Sequence, residues 1–331
     1  MPTSLPDPII AAFLRAVGTG NLAAVDAMLR DDPSLVDCVG PHPFWGGRPQ
    51  ALHVSIETRR RDVFDRLLGA GADVNGRNDE YMHWSPLLLT LSRSQAGMRR
   101  TLLRRGARVG LAEALAMGDD EAVLRLLSPG PSALPDRVPS DGSLLAFART
   151  PAAIDRLLEL GVSADRRDHW GATAIEALSR LGPKGKPLVR HLLARGIRAE
   201  PEVFARLNDG PVLTRLLRDD PALIRNPGIL KAAVDFGHLT LARRLLDRGA
   251  DPDGRSGGEA AETPLHSAAW NGDRPMVELL LARGADPTLR DRQYDATAAG
   301  WAATSIEVSN NPKCRDVALL LEAHERKAAS D

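Results

Sequence analysis

A short helix-ending pattern repeats along the chain and limits what it can fold into. The pattern is an apolar residue followed three positions later by a pair of apolar residues, most often two leucines, with a glycine often close behind. It occurs ten times, on average about every 32 residues, a period typical of solenoids built from stacked helical units. The apolar pairs begin at Met28, Leu67, Leu102, Leu126, Leu157, Leu192, Leu216, Leu245, Leu280 and Leu320.

Each copy of the pattern places apolar side chains on one face of a helix. In the ninth copy, Val277, Leu280 and Leu281 follow the spacing of a helix that buries one stripe, and we expect all three in the core. A single unit of this length has nothing of its own to cover that stripe. The units must therefore stack against their neighbours.

Residues 262–291 form the most regular copy. Thr263 precedes Pro264 at the expected first position of a helix, where a missing N–H costs little. Gly272 and Gly284 stand where two successive helices must end. The segments TPLH, AA, G, V, LL and GAD follow in the order found in the ankyrin repeat, and this copy resembles that repeat over its whole length.

The resemblance implies an all-α ankyrin-repeat solenoid of about ten helix-turn-helix units with finger loops between them. We expect a single elongated domain over residues 1–331, with an N-terminal cap near residues 7–36 and a C-terminal cap near residues 297–325. Spacings of 24 residues before the fourth and seventh units predict that these two units lack fingers. Residues 305–313 are an expected insertion between the two helices of the last unit.

Composition limits the partners and the compartment. Basic and acidic residues number 43 each, so the chain lacks the net charge that attracts nucleic acid, and we expect no nucleic-acid partner. Two cysteines are too few for a disulfide framework, which favours a reducing cytoplasm. The first residues carry no basic leader region and no apolar run is long enough to span a bilayer, so we expect no membrane association.

Tryptophans and tyrosines stand mostly just before a first helix, where a finger loop is expected. Trp and Tyr are frequent anchors in protein interfaces, so we predict a partner-binding role for them. The alternative is that each ring packs on the next finger and stiffens the row. The predicted finger aromatics are Trp45, Tyr81, Trp84, Trp170 and Tyr294, and two more, Trp270 and Trp301, lie on first helices.

Acidic and imidazole groups accompany two of these rings. Asp79 and His83 occur in the segment DEYMHW, and Asp168 and His169 occur in RRDHWG. We predict that the two patches bind one partner, with the tryptophan of each as its anchor. The alternative is ordinary turn chemistry with solvated side chains.

Motifs for catalysis or metal binding are absent from the sequence. No histidine has companions at metal-ligand spacing, and neither GxxxxGK[ST] nor GxSxG occurs. Cys38 and Cys314 have no adjacent histidine to activate them. His53 and His266 hold the fourth place of TPLH-like segments, where we predict that they support a neighbouring turn. We therefore expect no metal, no cofactor and no catalytic residue.

The resemblance implies a non-catalytic module that binds another protein or peptide on a concave face made by fingers and first helices. Stand-alone bacterial arrays of this family serve as adaptors, inhibitors or immunity-type proteins, and 38 arginines against 5 lysines indicate a GC-rich bacterial source. We expect the chain to be a monomer. Alternatives are an architectural spacer, or a cofactor-independent enzyme or small-molecule binder with a pocket on that face. The acid and base groups available to an enzyme are Asp79, His83, Asp168, His169 and Asp235.

Overall fold

The structure is a computed structural model that describes residues 7–76, 81–256, 261–309 and 311–328. The chain divides into two compact units, Met1–Ala174 and Ile175–Asp331. Within the described ranges the secondary structure is helical and contains no β-strand. Isolated β-bridges join Val39 to Gln50 and Arg290 to Thr297. The predicted all-α class is confirmed.

The first unit consists of helix pairs in which each first helix packs on the first helix of the next pair. Its fifth pair begins with a short 3₁₀ turn where the others have an α-helix. The pairs are α1 (Asp7–Thr19) with α2 (Leu22–Asp31), α3 (Ala51–Glu57) with α4 (Arg61–Gly69), α5 (Pro86–Ser92) with α6 (Ala96–Arg104), α7 (Leu111–Met117) with α8 (Asp120–Leu126), and Leu144–Phe147 with α9 (Pro151–Glu159).

The second unit repeats this architecture, and along α12, α14, α16 and α18 the first helices again pack on one another. The described residues of the two units together thus contain ten helix pairs. The pairs are α10 (Ala174–Ser179) with α11 (Lys186–Ala194), α12 (Pro201–Arg206) with α13 (Gly210–Asp219), α14 (Pro227–Asp235) with α15 (Leu239–Asp247), α16 (Pro264–Asn271) with α17 (Arg274–Ala282), and α18 (Ala298–Ser309) with α19 (Cys314–Ala328).

The repeated apolar stripe fills the core of each unit. In the first unit Phe13 and Phe64 are wholly buried, and in the second Val277 and Leu280 are wholly buried. Leu281, which the spacing placed in the same stripe, is only partly buried at the edge of that core. Leu281 is therefore less buried than predicted. Each step of one residue along a helix rotates the side chain by about 100° about the helix axis, so Leu281 points in a different direction from Leu280.

The loops follow the uneven spacing of the repeat. In the sequence, 16 residues separate α4 from α5 and 16 separate α15 from α16, whereas the links at residues 105–110 and 195–200 have six residues each and lead directly into α7 and α12. The predicted absence of fingers in the fourth and seventh pairs is confirmed. The expected insertion at residues 305–313 is partly helical, since α18 continues to Ser309.

Local capping explains where the most regular pair begins and ends. Thr263 precedes Pro264, and a 2.8 Å hydrogen bond joins its Oγ1 to Nδ1 of His266. This bond fixes the start of α16. Gly272 ends that helix in the left-handed region, with φ at 64°. Gly284 follows α17 with φ at 89°. The predicted helix ends are confirmed at both glycines.

Substituting Gly272 with alanine is expected to destabilise the second unit more than the same change at Gly284. Both positions have positive φ, which disfavours alanine. At Gly272 a new Cβ would also lie 2.8 Å from Lys313 Cβ and 3.0 Å from its carbonyl carbon, whereas the space at Gly284 is open. We expect a loss of about 2 kcal/mol or more for G272A and about 1 kcal/mol for G284A. Urea unfolding of both variants measures the difference, and equal losses would contradict the close contact.

Candidate functional site

Three loops of the first unit are joined through Ser140. Its amide donates a 2.9 Å hydrogen bond to the Met82 carbonyl, and its carbonyl accepts a 2.8 Å hydrogen bond from the His169 amide. Its hydroxyl accepts a 2.7 Å hydrogen bond from Nε1 of Trp84. Ser140 is only 3% exposed, so the junction is shielded from solvent. The joined loops are residues 81–84, 138–142 and 166–172, which together form the three-loop surface.

Trp84 is held in place by the turn that leads into α5. Its amide donates to the Tyr81 carbonyl at 3.0 Å, and the following Ser85 caps α5 through the Leu88 amide at 3.0 Å. The indole ring meets the ring of Phe147 edge-on, with 5.7 Å between centroids. Trp84 is therefore partly buried, and both its polar atom and its ring are used within the unit.

The backbone of the three-loop surface is strained. Met82 and His83 have φ of 49° and 60°, and Ser140 and Asp141 have φ of 58° and 57°. Non-glycine residues in this left-handed region cost of order 1 kcal/mol each, and such residues cluster at functional sites. The hydrogen bond from the Ser140 amide to the Met82 carbonyl links the two strained pairs. Strain in two adjoining loops marks this part of the first unit as a candidate site.

The third loop carries a rigid tip with an exposed tryptophan. Asp168 Oδ1 accepts hydrogen bonds from the amides of Trp170 at 3.0 Å and Ala172 at 2.8 Å, and Gly171 turns the chain with φ at 79°. The carboxylate of Asp168 is thus engaged in shaping its own loop. The tip exposes His169 and leaves Trp170 59% exposed, and the two rings meet edge-on at 5.8 Å.

A buried polar network lies beneath the neighbouring finger. Glu57 accepts a 2.6 Å hydrogen bond from the Tyr81 hydroxyl and a 2.8 Å bond from Arg93 Nη2, and its Oε2 lies 3.3 Å from Nε2 of His42. Burial alone raises the pKa of Glu57, but the His42 contact, the Arg93 charge and the Tyr81 hydroxyl outweigh it and lower the pKa to about 2. Trp45 stacks on His42 with 4.1 Å between ring centroids. Tyr81 and Trp45 thus contact this network within the unit.

The second unit has its own aromatic cluster around Asp291. This carboxylate accepts hydrogen bonds from the amides of Tyr294 at 2.6 Å and Gln293 at 2.9 Å, and from Nε1 of Trp301 at 2.9 Å. Burial raises the pKa of Asp291, but these bonds outweigh burial and lower it. The Trp301 ring meets that of Trp270 edge-on at 5.9 Å. Tyr294 stands at the loop tip, 55% exposed.

The two TPLH-type histidines support neighbouring turns, as predicted. His53 Nε2 lies 2.9 Å from the Trp84 carbonyl oxygen, and His266 Nε2 lies 3.0 Å from the Ala296 carbonyl oxygen. Each imidazole therefore connects its helix to the next finger. Burial lowers the pKa of His266, which favours a neutral ring.

Asp235 is one of the acidic groups that an enzyme would have available, and it forms an ion pair with Lys231 on α14. Lys231 Nζ lies 2.9 Å from Asp235 Oδ2 and 3.0 Å from Glu262 Oε1. Burial lowers the pKa of Lys231, but the two carboxylates outweigh it and the pKa is raised. Asp235 also borders an open cleft of about 540 Å³ in the second unit, where the other charged side chains are Asp273, Arg274, Lys313 and Asp316. That cleft lies at helix turns and not at the finger loops.

Other reactive groups give no site in the described part of the chain. Burial, with a smaller effect of Asp37, raises the pKa of the Cys38 thiol to about 12, and burial also raises that of Cys314. High pKa values disfavour the nucleophilic thiolate. Among the described residues no group of His, Cys, Asp and Glu side chains has the arrangement of a metal site. None of the helices in those ranges has the length and apolarity to cross a membrane.

The predicted residues thus fall into separate groups. The three-loop surface brings together His83, Trp84, His169 and Trp170, which were predicted in two patches far apart in the sequence. Asp79 lies outside the described residues. Sequence reasoning missed Ser140, whose loop segment VPSDGS signals a turn but gives no indication of which loops it joins.

Comparisons with known proteins show similarity to ankyrin repeats. A family model described as ankyrin repeats in many copies matches residues 229–281. A Treponema pallidum (strain Nichols) protein named as ankyrin repeat-containing is 30% identical over 149 residues, which are 45% of this chain and 42% of that protein. Human ankyrin repeat and SOCS box protein 16 is 25% identical over 287 residues, 83% of this chain and 55% of that protein. Human palmitoyltransferase ZDHHC13 is 44% identical over 66 residues, 20% of this chain and 10% of that protein.

Residues 229–281 thus match ankyrin repeats, as the best copy in the sequence indicated, and the stacked helix pairs are consistent with an ankyrin-repeat solenoid. The matched stretches span less than two thirds of each of these relatives. Ankyrin repeats are generally protein–protein interaction modules, and this general role applies to the fold described above.

Proposed function

We propose that the protein is a non-catalytic binding module that holds a partner protein or peptide on the three-loop surface, with Trp170 as the main anchor. The observation that carries this proposal is the 59% exposed ring of Trp170 on a tip fixed by Asp168 and Ser140. An exposed indole gains free energy when a partner covers it, and tryptophan is enriched among residues that dominate binding.

Rigidity supports the same proposal. Hydrogen bonds of Ser140 to the two neighbouring loops, and of Asp168 within its own loop, hold the tip before any partner arrives. A surface that is already ordered loses little conformational entropy on binding. His169 adds a polar group beside the ring, and His83 lies in the loop that Ser140 joins to this tip. Trp84 supports the loops through its hydrogen bond to Ser140.

The second unit carries a candidate anchor of its own. Tyr294 is 55% exposed at a tip that Asp291 holds, next to the partly buried Trp270 and Trp301. Amphipathic rings of this kind bind partners through both the ring face and a polar atom. Each tip by itself suits the proposed role of an adaptor, inhibitor or immunity-type protein that acts as a monomer. We place it in the cytoplasm, where buried thiols such as Cys38 and Cys314 stay reduced.

Trp170→Ala is expected to weaken partner binding about thirtyfold, a loss of about 2 kcal/mol, because it removes the anchor. Leu124→Ala is the matched control, since Leu124 is also 59% exposed but lies on α8, away from the three loops. Wild type and both variants, each with wild-type circular dichroism, serve as baits in a lysate from the native source. The captured protein is then purified and titrated against all three.

A partner that binds wild type and L124A alike but W170A much more weakly would support the proposal. Equal binding to W170A and wild type would show that Trp170 is not the anchor. Equal losses in both variants would point to a general loss of exposed apolar surface. Recovery of a small molecule in place of a protein would favour the alternative of a carrier or enzyme.

A further inference from the structure

The segment around α6 carries an unbalanced positive charge. Between Tyr81 and Ala112 the sequence contains six arginines and no aspartate or glutamate, although the whole chain has equal numbers of basic and acidic residues. Acidic side chains therefore concentrate elsewhere, and this part of the first unit differs from the rest. The arginines of the segment are Arg93, Arg99, Arg100, Arg104, Arg105 and Arg108.

Arg100, Arg104 and Arg108 are exposed, and two exposed apolar side chains lie close to them in the sequence. Arg100 and Arg104 are four residues apart on α6, so they lie on the same helix face, one turn apart. Leu103, 37% exposed, lies between them in the sequence, and Arg108 and Val109, the latter 36% exposed, follow in the loop after α6. We call these five residues the basic ridge.

The charges of the basic ridge are not used to hold the fold together. Within the described residues, neither Arg100, Arg104 nor Arg108 lies within ion-pair distance of a carboxylate. Nearby arginines are paired, since Arg61 contacts Asp65 at 2.7 Å and Arg93 contacts Glu57 at 2.8 Å. Among the described residues, the guanidinium groups of the ridge are thus exposed and have no carboxylate partner.

The helix dipole explains only part of this arrangement. Cations are favoured in the last turn of a helix, which accounts for Arg104. Arg100 lies at the middle of α6, outside the last turn, and the first turn of α6 has no acidic residue, whereas α4 has Asp62 and α8 has Asp120 there. Arginines one turn apart also repel each other by a few tenths of a kcal/mol. This repulsion, with no neutralising carboxylate in the part of the fold that the structure describes, favours an external anion.

We propose that the basic ridge docks an acidic segment of a partner protein. Carboxylates one helical turn apart would pair with Arg100 and Arg104, since guanidinium and carboxylate form two parallel hydrogen bonds. An apolar side chain between those carboxylates would cover Leu103 and Val109. This surface uses a second helix of its repeat, whereas the three-loop surface uses fingers, so the two proposals stand independently.

Charge and surface chemistry favour a protein segment over other anions. Nucleic-acid sites commonly add aromatic rings for base stacking, and the ridge contains none. A helix that lies on a membrane needs a broad exposed apolar face, but the main apolar residues of α6, Met98 and Leu102, are buried in the core. Two partly exposed apolar side chains among arginines suit an acidic, partly apolar peptide.

The test is a fluorescence-anisotropy titration of the full-length protein with a labelled peptide of Glu, Leu and Ala, whose glutamates are four residues apart. The comparison peptide has every Glu replaced by Gln. We expect saturable binding of the Glu peptide that weakens with added salt, and at least about tenfold weaker binding by the double variant R100Q/R104Q. The control is R243Q/R244Q on α15, which changes two exposed arginines on an equivalent helix and should bind as wild type does.

Circular dichroism of both double variants must match that of wild type, because the substituted residues are exposed. Equal binding of the Glu and Gln peptides, or equal losses in the two double variants, would overturn the proposal. The same titration with duplex DNA and with phosphatidylcholine vesicles containing phosphatidylserine tests the other anions. Tighter binding of either than of the Glu peptide, lost in R100Q/R104Q, would assign the ridge to that anion and also overturn the proposal.

Discussion

Replacing Leu280 with alanine is expected to lower the free energy of unfolding of the second unit by about 2–5 kcal/mol. Leu280 is wholly buried on α17, in the core that includes Val277 and Leu265. The substitution removes three buried carbon atoms and leaves a cavity that the surrounding helices fill only in part. Urea unfolding followed by circular dichroism measures the loss.

Leu281→Ala is the matched control for this prediction. Leu281 follows Leu280 on the same helix, has the same side chain, and is only partly buried. Its replacement is expected to cost less than about 2 kcal/mol, since fewer contacts are lost. A larger loss for L281A than for L280A would show that the helix is rotated from the orientation described.

Acidification is expected to destabilise the first unit through Glu57. Because the pKa of Glu57 in the fold, about 2, is below its ordinary value of 4.5, its contribution to stability is complete above about pH 4.5 and is lost as the pH falls toward 2. A shift of this size corresponds to about 3 kcal/mol. Unfolding midpoints in urea, measured between about pH 2 and pH 7, test this dependence.

Glu57→Gln separates this effect from the titration of other carboxylates. The variant keeps the shape of the side chain but has no charge to pair with Arg93, so it should be less stable than wild type at neutral pH. Its stability should fall less steeply than that of wild type below pH 4.5. Parallel pH profiles for the two proteins would show that Glu57 is not the group responsible.

The sequence predicted those features that depend on local interactions. The period of the apolar pairs predicted the stacked helix pairs, and Thr263, Gly272 and Gly284 predicted where helices begin and end. Capping and left-handed turns involve residues a few positions apart, so one sequence contains their signal. The same holds for the short links at residues 105–110 and 195–200, which follow directly from the spacing.

Features that depend on contacts between distant residues were not predictable. Ser140 binds Trp84 across 56 residues, and Tyr81 binds Glu57 across 24. Period and composition do not specify which polar atoms meet across stacked loops. The fifth pair also departs from the pattern, since Leu144–Phe147 forms a 3₁₀ turn where the others have an α-helix. As a result, sequence reasoning placed the aromatic residues in fingers but did not separate supporting rings from exposed ones.

The exposed tip also gives the protein an optical reporter of its own. Of the five tryptophans, Trp170 alone is more than half exposed, while the other four indoles are partly buried. A collisional quencher such as acrylamide should therefore reach the Trp170 excited state first, and the quenched light should come from the red side of the emission band. A partner seated on the three loops would protect this emission without any attached dye. A partner seated on α6 would leave the quenching unchanged, so one cuvette experiment would show which surface is occupied.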